Sequence, residues 1–256
     1  MKILALGDVT GVAAIPYLRE RLYTQRAALG ADAVVANGEN VTDIKGISRR
    51  HALELLDCGI DLITTGNHVF SQRDIGDLLD SSANIIRPAN YPPACPGMGY
   101  ATLRVGGWRL LCINVLGVVY MEPLDSPFTT VERILEREQG KYDFALLDVH
   151  AEATSEKLAM GRYFDGRISV IFGTHTHVPT ADAQILPRGT GYITDLGMTG
   201  PVDGILGTDA GAVIRKFTTK MPQRFAVATG EIRAHGALFD LDTTTDRVVS
   251  IKPVEF

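Results

Sequence analysis

The sequence predicts an α/β fold, and three observations carry that expectation. Short β-branched apolar runs alternate with helix-period segments over about the first 90 residues. Most of these runs close on a glycine followed by a carboxylate, amide or imidazole, which is how buried parallel strands reach a functional edge. Two further pairs of runs, joined by Gly106-Gly107 and by Thr243-Thr244-Thr245, read as antiparallel hairpins, so the sheets are expected to be mixed.

In chain order, Ile3-Leu4-Ala5-Leu6-Gly7 reads as the first strand. Ile15, Leu18, Leu22 and Leu29 then recur at helical spacing, with Pro16 tolerable in a first turn and Gly30 as the stop. Ala33 to Gly38 is the second strand, and Arg49 to Cys58 a helix ending at Gly59. Leu62 to Gly66 is the third strand, and the periodicity predicts a helix over Gln72 to Leu79. Ala101–Val105 and Arg109–Ile113 form the first hairpin. Thr129 to Glu138 is a short charged helix, residues 143–149 and 168–173 are strands, and residues 153–164 a helix between them. Ala237–Leu241 and Arg247–Ile251 form the last hairpin. No Pro/Ser-rich linker or charge block divides the 256 residues, so a single domain over 1–256 is expected.

Composition excludes several classes of function. Twenty-five Lys and Arg against 30 Asp and Glu give a net charge of −5, which argues against a broad nucleic-acid surface but not against a small anionic substrate held by cations. The three cysteines, Cys58, Cys95 and Cys112, are widely spaced without a C-x-x-C, so neither a disulfide framework nor a zinc knuckle is expected, and a reducing cytoplasm fits best. The start Met1-Lys2 runs into a strand rather than a signal peptide, and no apolar run approaches the ~18 residues of a membrane span.

The chemistry gathers at the strand ends. Five runs deliver Asp8, then Glu39 and Asn40, then Asn67 and His68, then His150, and finally His175 and His177 in Gly173-Thr174-His175-Thr176-His177. In an extended segment residues i and i+2 face one side, so an H-x-H pair can reach one ion or two adjacent ions. An isolated pair of this kind is only suggestive, since most histidines serve packing or surface hydrogen bonds. Oxygen donors mixed with imidazoles suit Mn, Fe or Zn better than Mg or Ca. Seven donors exceed one tetrahedral centre, whereas two ions roughly 3.5–4 Å apart would use them all.

These residues resemble the calcineurin-like metallophosphoesterases, whose strand ends carry Asp, a bridging acid, G-N-H, a lone His and G-H-x-H. Here they stand as Gly7-Asp8, Gly38-Glu39-Asn40, Gly66-Asn67-His68, His150 and Gly173 to His177. Thr10 replaces the usual His two residues after the first Asp, and Glu39 the usual bridging Asp. With Asn40 supplying the missing ligand, the pattern is similar to that of one narrower group, the YmdB-like bacterial metallophosphoesterases. The resemblance extends through Arg87-Pro88-Ala89-Asn90, His150 to Lys157, Thr174 to Asp182 and Tyr192 to Pro201. It departs at Val12-Ala13-Ala14-Ile15, where the group carries Pro-Gly and a basic residue, and at Phe70, where it carries Trp. Both positions bear on substrate preference rather than on the metal ligands.

The resemblance implies a four-layer sandwich with two central mixed β-sheets flanked by helices. It implies two transition-metal ions, iron first with manganese or zinc as alternatives, and phosphodiesterase activity on cyclic nucleotides: 2′,3′-cyclic mononucleotides, with 3′,5′-cAMP as a further candidate. It assigns Asp8, Glu39, Asn40 and His177 to one ion and Glu39, Asn67, His150 and His175 to the other. His68, beside a ligand yet without a metal place of its own, is the expected proton donor to the leaving oxygen; its alternative role is to orient Asn67 or a phosphate. Ser155 reads as a helix cap and Lys157 as a phosphate contact. Gly197 to Gly207 reads as a substrate-side loop or simply as turns, and His51 and His235 carry no role. Competing functions are a phosphomonoesterase acting on phosphoproteins and a regulatory nucleotide-binding protein with an idle metal centre. A homo-oligomer is compatible with the sequence.

Overall fold

A computed structural model of the chain describes residues 1–43 and 45–256. The first third supplies β1 (Lys2–Leu6), β2 (Asp8–Val9), α1 (Ala14–Leu29), β3 (Ala33–Asn37), α2 (Arg49–Asp57), β4 (Leu62–Thr64) and α3 (Gly76–Ser81). The middle adds β5 (Tyr100–Val105), β6 (Trp108–Leu116), α4 (Pro127–Arg137), β7 (Phe144–His150), α5 (Thr154–Phe164) and β8 (Val170–Thr174). The remainder contributes β9 (Gln184–Ile185), β10 (Gly191–Ile193), β11 (Met198–Pro201), α6 (Ala210–Thr219), β12 (Ile232–Asp242) and β13 (Arg247–Glu255).

Two mixed sheets result. One runs β2-β11-β12-β1-β3-β4 with β13 beyond on β12, and the other runs β5-β6-β7-β8-β10-β9. Period-two alternation explains how they stack. Ile3, Ala5, Ala33 and Val35 face Leu110, Cys112, Phe144, Leu146, Val170 and Phe172 across the space between the sheets. Their neighbours Leu4, Leu6, Val34 and Ala36 turn outward onto Leu18, Leu22, Ala52 and Leu55 of α1 and α2. On the far side Leu111, Ile113, Leu147 and Ile171 meet Val131 of α4 and Met160 and Phe164 of α5. Helix, sheet, sheet and helix are the four layers expected, and burial on both faces is why these strands read as continuous apolar runs.

Within each sheet the strands that carry chemistry are parallel. β1 pairs with β3 and β3 with β4, while β7 pairs with β8 so that His150 lies beside Thr174. Their carboxyl ends therefore point the same way, and both sheets deliver loops to one edge.

Two elements differ from the periodicity. Over Gln72 to Leu79 the chain first makes a 3₁₀ turn at Arg73–Ile75, following another at Val69–Ser71, and α3 begins only at Gly76. Gln72 is held extended, its side-chain amide donating to Lys45 O at 3.0 Å, and that interrupts the helix. Part of Gly197 to Gly207 is not loop at all, because β11 fills the slot between β2 and β12. Ser155 is not a cap either: α5 begins at Thr154 with Ala153 in the cap position and no side-chain bond to the helix end. The three cysteines are free, and no helix among the described residues is long and apolar enough to cross a membrane.

Candidate metal centre

Every strand end singled out in the sequence meets at this edge. Asp8, Glu39 and His150 are fully buried or nearly so, and Asn40 is 5% exposed. His150 Nε2 lies 3.1 Å from Glu39 Oε1, 3.1 Å from Asn67 Oδ1 and 3.0 Å from His175 Nδ1, so four of the predicted ligands converge on one point. Glu39, His150 and His175 offer ligand atoms within 4.8 Å of one another. The other predicted ligands gather around the same Glu39 oxygen. Asn40 Nδ2 donates to Glu39 Oε1 at 3.0 Å and stands 3.3 Å from His177 Nε2, and His177 Nε2 lies 3.9 Å from Asp8 Oδ1.

Three buried side-chain oxygens lack a hydrogen-bond partner among the described residues, and two of them, Asp8 Oδ1 and Asn40 Oδ1, lie in this cluster. A buried acceptor left unpaired costs about 1–3 kcal/mol, more when charged, so two of them in one cluster are a place for a cation. Each imidazole also has its second nitrogen occupied. His150 Nδ1 is 2.9 Å from Thr174 Oγ1, which donates to Asp148 Oδ1 at 2.7 Å. His175 Nε2 donates to Glu152 Oε2 at 3.0 Å, and His177 Nδ1 to Leu206 O at 3.1 Å. These partners fix the tautomers and leave His150 Nε2, His175 Nδ1 and His177 Nε2 as free donors toward the cluster, the arrangement metal-ligating histidines use. The residues fit a metal.

The H-x-H segment does not achieve this by extended geometry. His175 and His177 both adopt left-handed backbone, with φ 97° and 64°. The loop therefore turns instead of running straight, and the two rings reach different partners, His175 Nδ1 lying 3.0 Å from His150 Nε2 and His177 Nε2 3.3 Å from Asn40 Nδ2. Non-glycine residues in this region cost of order 1–3 kcal/mol each and persist only where neighbours hold them. His175 N donates to Asp8 Oδ2 at 3.0 Å. Thr176 donates to Asp195 Oδ2 through N at 3.2 Å and Oγ1 at 2.8 Å. Asp195 in turn takes the Lys157 ammonium at 2.7 Å, with both side chains 1% exposed. Lys157 is thus a buried anchor for the loop rather than the phosphate contact its sequence position suggests.

Gly66 explains the approach of β4 to the cluster. A Cβ there would collide with Glu39 Oε2 and His150 Nε2, so only glycine lets Asn67 and His68 pass the ligands. His68 N donates to Glu39 Oε2 at 3.0 Å, and its half-buried ring lines a cleft of about 300 Å³. Thr10, Asn40, Glu152, His177, Leu206 and Thr208 line the same cleft. A larger groove of about 600 Å³ opens at the amino ends of β3 and β4, far from this edge. Its Arg26 is paired to Asp61 at 3.0 Å.

Without metal the cluster organises around protons. Burial opposes charge on His150, but Glu39 overcomes it and carries the imidazole up to about 9. Burial likewise opposes the Glu39 carboxylate, and the His150 charge and hydrogen bond bring it down to about 2. Burial raises Asp8 to about 6 despite His177 and His150. Burial and the His150 charge lower His175 to about 3. Burial also lowers His68 from the ordinary imidazole value. A cation bound here would take the place of the proton that His150 shares with Glu39.

Asp148, Asn37, Glu152 and Asp195 have no role in the sequence reading. The signal for Asp148 is an aspartate inside the apolar run Phe144–Val149. Asn37 Nδ2 donates to it at 3.1 Å while Asn37 Oδ1 accepts Glu39 N at 3.1 Å, so one amide holds both Glu39 and the carboxylate behind His150.

Two mixed sheets in a four-layer sandwich, with oxygen and imidazole donors crowded at their shared edge, define the fold class. Within that class the chain belongs to the YmdB-like protein family, whose model matches residues 4–254. It is 41% identical over 254 residues to the 2′,3′-cyclic-nucleotide 2′-phosphodiesterase of Bacillus subtilis (strain 168), covering 99% of this chain and 96% of that protein. A hypothetical protein from Thermus thermophilus superposes with TM-score 0.94 at 42% identity, over 100% of this chain and 99% of its own. A protein described as a novel phosphatase, from Mycoplasma pneumoniae, gives TM-score 0.94 at 32% identity, over 100% and 93%. A putative 5′-nucleotidase of Staphylococcus aureus, at 13% identity and TM-score 0.59 over 99% of this chain and 54% of its own, shares the fold alone.

Proposed function

We propose that the chain is a two-metal phosphodiesterase that opens 2′,3′-cyclic nucleotides. The observation that carries this reading is the pair of orphaned oxygens, Asp8 Oδ1 and Asn40 Oδ1, together with the convergent Asn67, His150 and His175. Glu39 would be shared, with Asp8, Asn40 and His177 holding one ion and Asn67, His150 and His175 the other. Iron, manganese or zinc suits that donor set. Bound there, the ions would supply hydroxide at neutral pH and offset charge on the phosphoryl oxygens.

The chain's own groups do the rest. Asp148, through Thr174, keeps the His150 donor aimed inward, and Glu152 and Leu206 O do the same for His175 and His177. His68 stands in the cleft beside Asn67 and donates a proton to the departing ribose oxygen. The substrate class follows the Bacillus subtilis relative, named for 2′,3′-cyclic nucleotides, and 3′,5′-cAMP is a further candidate for the same cleft. The chain works as a single domain, as monomer or homo-oligomer, and its three free cysteines suit the reducing cytoplasm.

The test is a kinetic comparison on metal-loaded protein. Cyclic mononucleotides are expected to give higher kcat/KM than nucleoside monophosphates, with activity lost on chelation. A higher kcat/KM on monoesters or phosphopeptides would make the protein a phosphomonoesterase. No turnover of any ester by fully loaded protein would make it a regulatory binder.

A further inference from the structure

The cleft is unusual for a site that takes phosphate: none of its described lining residues is a lysine or arginine. Lys157, the cation nearest in sequence to His150, is withdrawn into the interior and neutralised by Asp195. Lys45 is felt at His68 but lies outside the lining. Among the described lining residues, the one charged side chain besides Glu39 and the histidines is Glu152, whose carboxylate is 53% exposed. Its Oε2 accepts His175 Nε2–H at 3.0 Å, which fixes it at the cluster's rim facing whatever enters the cleft. Among the described lining residues no cation meets the substrate, so positive charge at the phosphoryl site would come chiefly from bound metals, and Glu152 subtracts from it.

We propose that Glu152 makes this site selective for singly charged phosphodiesters over doubly charged phosphomonoesters. The inference rests on the phosphodiesterase reading above and names the residue that enforces it. A diester carries one negative charge at any physiological pH, whereas a monoester carries close to two above its second pKa of about 6. A fixed carboxylate beside the phosphoryl site repels both, and repels the dianion more. In a half-exposed cleft one additional unit of charge at such a rim amounts to about five- to tenfold in binding, and it weakens with salt. The discrimination also favours release, because opening a 2′,3′-cyclic phosphate produces a monoester in the same cleft. Glu152 thus disfavours retention of the product as well as entry of competing nucleotides.

Matched ligands separate the charge effect from base and sugar recognition: 2′,3′-cyclic AMP as diester and 3′-AMP as monoester, assayed at about pH 8 on Mn-loaded protein. Glu152→Gln keeps an acceptor for His175 Nε2–H and removes only the charge. It is expected to raise the 3′-AMP to cyclic-AMP ratio of kcat/KM about five- to tenfold, chiefly through the KM of the monoester, and to strengthen inhibition by 3′-AMP to match. The gain should shrink in high salt. If the wild type turns over neither ester, the phosphodiesterase reading falls and this inference falls with it. If the wild type opens the diester and Glu152→Gln keeps its ratio at full metal content, only the inference about Glu152 is overturned. Loss of metal from Glu152→Gln would overturn it too, since the carboxylate would then be acting through His175.

Discussion

Replacing Lys157 by methionine separates a structural anchor from a substrate contact. The ammonium is 1% exposed and lies 2.7 Å from Asp195, which holds both Thr176 N and Thr176 Oγ1 and accepts Gly197 N at 2.8 Å through its other oxygen. Methionine fills similar volume but leaves a buried carboxylate without its cation. Breaking such a pair from one side costs about 3–5 kcal/mol. For a chain of this length that corresponds to a fall in Tm of roughly 6–15 °C. The assay is thermal unfolding of chelated protein, followed by metal titration and steady-state kinetics below the new midpoint. Tm should drop into that range and metal affinity should weaken, because the loop carrying His175 and His177 loses its clamp. KM of the protein that does load metal should move little. Lys157→Met with Asp195→Asn should recover part of the lost stability, since the uncompensated charge is gone. A Tm within about 2 °C of wild type together with a large rise in KM would refute this reasoning and return Lys157 to the phosphate.

His68→Ala should keep its metals yet lower kcat on 2′,3′-cyclic nucleotides by about 10²–10⁴-fold, with a much smaller loss on a p-nitrophenyl diester whose leaving group needs no proton. Equal losses on the two substrates would assign His68 to positioning instead. For chelated protein, the His150 imidazole is raised in the folded state from 6.5 to about 9, so its contribution is complete below 6.5 and disappears as pH rises through about 9. Tm should therefore fall on the order of 5 °C across that window, and metal-loaded protein, which carries no such proton, should show no matching fall. A flat Tm for the chelated protein would contradict the His150–Glu39 pairing.

The site was more legible in the sequence than the way it is held. Asp8, Glu39, Asn40, Asn67, His150, His175 and His177 each follow a strand whose apolar run is local, so their convergence can be read from the fold class alone. The supports depend on contacts distant in the chain. Nothing near Lys157 announces that the chain leaving β10 will bring Asp195 to it across 38 positions, and nothing near His175 announces that both ligands of the H-x-H segment are left-handed. The fold shows the same division. The long runs β1, β3, β7 and β8 declare themselves, whereas β9 and β11, two and four residues long, are strands only because a neighbouring edge pairs them. The helix expected from Gln72 starts only at Gly76 for a comparable reason, since its apolar spacing is right but Gln72 is tied to Lys45 in another segment.

Elemental analysis after anaerobic reconstitution with Mn or Fe, run side by side on wild type, Glu39→Ala and His177→Ala, tests the two-metal centre most directly. Glu39 reaches both His150 and Asn40 through Oε1, whereas His177 Nε2 reaches Asn40 and Asp8. The account predicts about two ions per chain in the wild type, close to none in Glu39→Ala and about one in His177→Ala. At most one ion in the wild type, or equal loss in the two variants, would contradict it.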